Sequence, residues 1–136
     1  MNQLEKAAMD FVAARTKSAM AEDAVLEADR KLSAAMAEEK SAYCAVKAAW
    51  DAATLVTAQV GDAPAWDLDS MIEAASLAAK AALAVNEELR QKKARAEDLY
   101  NEVTRLTALK KEADREVSAA AEALSAEATA TSSAAG

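Results

Sequence analysis

Seven alanines recur at a fixed spacing of seven residues: Ala7, Ala14, Ala21, Ala28, Ala35, Ala42 and Ala49, followed in phase by Val56. A second column lies three residues ahead of each: Leu4, Phe11, Ser18, Val25, Leu32, Glu39, Val46, Ala53 and Val60. Alternating spacings of three and four keep one stripe of a helix turned toward a neighbour, the pattern expected of a coiled coil. Alanine has the best helix propensity, which accounts for its abundance but not for its phase. The phase requires close packing against a second helix.

No glycine or proline interrupts Gln3 to Val60. Asn2 and Glu5 have the spacing of a capping box at the start of this run. The break comes at Gly61-Asp62-Ala63-Pro64-Ala65-Trp66. Gly61 is expected to end the first helix in a left-handed conformation, and Asp62 ahead of Pro64 suits a new start. Ser70 with Glu73 offers a later cap, so the second helix is expected to begin between Ala63 and Ser70. Its columns read Leu68, Ala75, Ala82, Leu89, Ala96, Val103, Lys110, Val117, Leu124 and Met71, Ala78, Val85, Lys92, Leu99, Leu106, Ala113, Ala120.

A short connection makes the two helices antiparallel, with facing residue numbers that add to about 131. In that register Glu39 meets Lys92, and the alanine column meets Leu89, Val103, Val117 and Leu124, small against large. The predicted fold is all-α: a long antiparallel two-helix coiled-coil hairpin. Helix 1 is expected over about residues 3–60, the turn over 61–66 and helix 2 over 67–126. A disordered low-complexity tail is expected over 128–136.

Composition agrees. Alanine supplies more than half of the 53% hydrophobic residues, and the chain has one Ile and one Phe, too little for a globular α/β core. The net charge is −7, with acids and bases interleaved, which disfavours nucleic acid as a partner. The basic cluster Arg90, Lys92, Lys93 and Arg95 reads as a solvated helix face. Glu5, Lys6 and Asp10 do not suit a signal peptide. The most apolar window, Ser41 to Val60, carries Lys47, Asp51 and Gln59, too polar for a membrane span. A cytoplasmic protein of bacterial or phage origin is expected.

The absence of histidine removes the commonest general base and the Ser-His and Cys-His nucleophile pairs. There is no Gly-rich phosphate loop. Glu38-Glu39 and Glu87-Glu88 are adjacent and so diverge, and a di-iron bundle would call for Glu-x-x-His. Cys44 is a lone thiol, expected as a small packed residue. No enzymatic activity, cofactor or metal is therefore expected.

The turn-proximal half differs from the rest. Residues 41–60 carry only Lys47 and Asp51, and residues 70–85 only Glu73 and Lys80. Met36, Tyr43 and Trp50 form an extra column beside the stripe, and Ile72, Leu77 and Leu83 lie off-stripe on the second helix. A two-helix seam leaves these in water, so a further surface is expected to cover them, either in a homodimeric four-helix bundle or on a protein partner. The leading functional expectation is a non-enzymatic adaptor, scaffold or small protein inhibitor acting through this half. An acidic helical inhibitor of a nucleic-acid enzyme and an amphipathic coat on a lipid or polymer surface are the alternatives.

Asp62, Asp67 and Asp69 gather at the turn beside Trp66. An acidic tip on a helical hairpin resembles the bacterial factors that enter the RNA polymerase secondary channel. That resemblance implies a channel-inserting tip, but those factors carry a further globular or zinc-binding part with no counterpart here. Turn and helix-cap preference explains the aspartates without it.

Overall fold

The computed structural model describes residues 2–135. It is an all-α helical hairpin: α1 spans Gln3–Gly61 and α2 spans Leu68–Ala135, packed against each other, with no strand among the described residues.

Local chemistry accounts for the ends. Asn2 caps α1: its Oδ1 accepts from the Glu5 amide at 2.8 Å and its carbonyl from the Lys6 amide at 3.1 Å. At the other end the Asp62 and Ala63 amides donate to the Gln59 and Val60 carbonyls, both at 3.2 Å, tightening the last turn to a three-residue pitch. Gly61 has no positive φ, so the expected left-handed stop is replaced by this tightened turn. The Asp67 amide then donates to the Pro64 carbonyl at 2.9 Å, and the Asp67 carbonyl accepts the first α2 bond from Met71 at 3.1 Å. Asp67 is thus the residue from which α2 starts, a position that favours aspartate.

Two further expectations differ from the structure. The stretch expected to be disordered continues α2 as far as Ala135. Its alanines favour helix, and Thr129 satisfies its hydroxyl on the Ser125 carbonyl at 2.9 Å. Thr16, Thr54, Thr57, Thr104 and Thr107 bond back to the preceding turn in the same way. Cys44, expected to be packed, is exposed. It lies on the side of α1 turned away from the seam, which the columns at Ala42 and Val46 define.

The hairpin divides into two compact units. The terminal unit comprises Met1–Lys31 and Tyr100–Gly136, and the turn unit comprises Leu32–Leu99. In both, the seam follows the heptad columns. Every residue of the two α1 columns is buried or half-buried, and so is every α2 column residue except Leu68. The buried residues are Ala7, Ala28 and Ala113 in the terminal unit, and Ala35, Ala42, Ala53, Ala82, Leu89 and Ala96 in the turn unit. A buried methyl contributes about 0.8 kcal/mol, against about 1.5–3 for a whole leucine side chain. The seam therefore brings the backbones close while each layer adds little stability.

Polar pairs mark the register inside each unit. In the terminal unit Lys17 Nζ meets both carboxylate oxygens of Glu116 at 3.0 Å, and Ser18 Oγ donates to Asp114 Oδ1 at 2.6 Å. In the turn unit Lys92 Nζ lies 3.5 Å from Glu38 Oε2. The residue numbers in each pair add to about 131, the antiparallel register expected from the turn.

Candidate functional site

The turn unit presents more large apolar surface than its seam consumes. Met36 is 57% exposed, Tyr43 61% and Trp50 41%, although each sits only one residue from a seam column. Their spacing of seven places them on one flank of α1. Met36 and Tyr43 line a shallow groove with Glu39, Leu89 and Lys93, so this flank continues across the seam onto α2. On α2, Ile72 follows Met71 in the column that leads to Ala79, Asn86 and Lys93, and Leu83 lies a turn from Ala79 on the same side. Both are exposed.

Of the six residues expected to meet a partner, these five share one flank. Leu77 does not: helical spacing sets it on the other side of α2, where Leu55 of α1 is its exposed apolar counterpart. Lys93 and Leu89 belong to the groove and were not in the expected contact set. The signal for Lys93 was available, because it stands in the same column as Ile72.

The expected Glu39–Lys92 pair is corrected. Lys92 pairs with the neighbouring Glu38, and Glu39 is half-buried along the groove that contains Lys93. Glu38 flanks the seam on the side toward which the Lys92 side chain extends, so it offers its carboxylate without burying it. The second polar position in the seam is better satisfied than the sequence suggested. Asp114 accepts from Ser18 and from Lys110 Nζ at 3.3 Å, joining the two polar column residues of the terminal unit through an acid outside both columns. Those bonds, the serine hydroxyl first and then the lysine, hold the Asp114 carboxyl below the usual aspartate range. Glu102 is likewise held low by its bonds to the Arg105 guanidinium.

Large exposed apolar residues are not confined to the turn unit. Met9, Val12, Met20, Leu26, Tyr100 and Leu109 are exposed in the terminal unit. There Met9 and Val12 line a shallow groove with Ala8 and Ala13, and Met20, Leu26 and Leu109 stand among Arg15, Glu22, Asp29 and Lys111, whereas Met36, Tyr43 and Trp50 follow one another at consecutive heptad positions.

At the turn, Trp66 is 86% exposed, Asp62 and Asp69 are exposed, and Asp67 is half-buried at the start of α2. Among the described residues no group of three or more Cys, Asp or Glu side chains is gathered closely enough to hold a metal ion. Among those residues, too, no helix is long and apolar enough to cross a membrane. Neither a family model, nor a curated protein, nor a solved structure matches this chain.

Proposed function

We propose that this hairpin is a non-enzymatic interaction protein, an adaptor, scaffold or small inhibitor, that docks onto protein through the turn-unit flank formed by Met36, Tyr43, Trp50, Ile72 and Leu83. The observation that carries the reading is the inversion of burial in that unit. Its seam buries alanines and a single leucine, while Met36, Tyr43, Trp50, Ile72 and Leu83 stand in water on one flank. Contiguous apolar surface of this kind marks an interaction site on a soluble protein, and aromatic residues dominate the energetics of such sites.

The nucleic-acid-mimic reading draws less support. It needs an unbroken negative face, whereas Lys17–Glu116, Arg30–Glu27, Arg90–Glu87 and Lys110–Asp114 interleave both signs along the helices.

Site-specific photo-crosslinking in the native cell tests the proposal. A photoreactive phenylalanine analogue at Tyr43 should give discrete protein adducts, a second copy of the chain included. The same analogue at Glu122, an exposed position of α2 in the terminal unit, should give none. Absence of any adduct from Tyr43 would remove the reading.

A further inference from the structure

We infer that the occupant of this flank is a second copy of the chain, packed antiparallel about a two-fold axis that crosses the helices at the level of Trp50. The inference rests on the docking reading above and names its partner. Its basis is the distribution of charge in the turn unit. From Ala48 to Ala79 the chain carries Asp51, Asp62, Asp67, Asp69 and Glu73 and no base. On the docking flank itself the acid near the turn is Asp69, while Lys40, Lys47, Arg90 and Lys93 lie on the other side of Trp50, where Glu39 also lines the groove. Among the described residues Lys40, Lys47 and Lys93 form no ion pair, and neither does Asp69.

An apolar centre with an acid at one end and an excess of bases at the other is complementary to itself when one copy is reversed. A two-fold axis at Trp50 lays α1 on α1 and α2 on α2. Asp69 of each copy then comes opposite Lys93 of the other, while Trp50 meets Trp50 and Leu83 lies within a turn of the axis. A parallel arrangement would instead stack the acidic ends on each other, and like-charge contacts of that kind select against a pairing. Closed two-fold symmetry also uses the same patch on both copies.

The size of the flank is adequate. From Asp69 to Lys93 is about 36 Å along α2 at a rise of about 1.5 Å per residue, and two helices side by side span about 20 Å. The face is roughly 700 Å² per copy, or about 1,400 Å² in total, within the ~1,200–2,000 Å² of stable protein interfaces.

Sedimentation equilibrium on the purified full chain across the micromolar range tests this, with circular dichroism to establish that each variant stays helical. The wild type should have the mass of two chains, with a dissociation constant that rises with salt. Trp50→Asp should raise that constant by roughly 30-fold or more, the scale of a central aromatic contact. Asp69→Lys and Lys93→Glu should each raise it by about tenfold, and the variant carrying both should return to within about threefold of the wild type. That restoration is specific to a self-complementary pair, because a different partner protein would face two reversed charges. A single-chain mass at every concentration, or a double variant no tighter than the single ones, would overturn the inference. Should the purified chain be monomeric while Tyr43 crosslinks to another protein in cells, the docking flank stands and the second copy falls.

Discussion

Ala82 shows most directly what the alanine columns do. It is wholly inaccessible, in a seam whose other buried positions are nearly all alanine. A longer side chain there has no space to enter and must push the helices apart. Ala82→Leu is therefore expected to destabilise the hairpin by about 1–3 kcal/mol, whereas Ala81→Leu, one residue away and exposed, should stay within about 0.5 kcal/mol of wild type. Urea denaturation of both variants checks the contrast. Gly61 carries the opposite expectation. A left-handed glycine would make any substitution costly, but Gly61 has no positive φ, and a Cβ built on it meets nothing within 4 Å. Gly61→Ala should raise stability by about 0.4–1 kcal/mol through the unfolded chain's lost freedom. A fall in the thermal midpoint would show that the turn needs glycine after all.

At the scale of the elements, α1 and α2 are held in register by a few polar contacts set among alanines. Both columns were legible in the sequence because heptad phase survives any choice of side chain. The partners of the polar exceptions were not. Lys92 was expected on Glu39 and pairs with Glu38, since a long lysine side chain reaches past the residue directly opposite to one whose carboxylate keeps its water. Asp114 lies outside both columns, yet it links Ser18 to Lys110. Its carboxyl is held below the ordinary aspartate range by those bonds, so its contribution to stability is present above the unfolded-state pKa and is lost as pH falls through the lower folded-state value. Asp114→Asn should therefore be less stable than wild type at neutral pH, and the gap should close below about pH 4, near the unfolded aspartate value. Parallel pH series of thermal midpoints measure this, and a gap that is unchanged down to pH 2 would assign the effect to packing.

Taken whole, the isolated chain leaves much of itself in water. With seam layers of alanine returning little, the apolar flank of the turn unit is the largest unused source of stabilisation. If a second copy covers it, folding is linked to concentration, and the thermal midpoint of the wild type should rise as the protein is concentrated. Trp50→Asp should shift that dependence to roughly 30-fold higher concentration or beyond. Trp66→Asp, at the exposed turn and beyond the paired flank, should leave it in place. A midpoint independent of concentration in the wild type would place the stabilising partner elsewhere.

Helical class, the number of helices, the turn and both seam columns were determined by sequence alone, because they depend on backbone propensity and on a seven-residue phase. Most of the apolar flank could be read for the same reason: Met36, Tyr43 and Trp50 share one spacing. Tertiary structure decided what depends on reach and on distance across the seam. It brought Lys93 and Leu89 into the groove, gave Lys92 to Glu38 and set Asp114 between Ser18 and Lys110. It also showed that Gly61 ends α1 without left-handed backbone, since two three-residue turns could satisfy the same amides. Periodicity states which side of a helix a residue occupies, and only the packed pair shows which atoms on that side come within bonding distance.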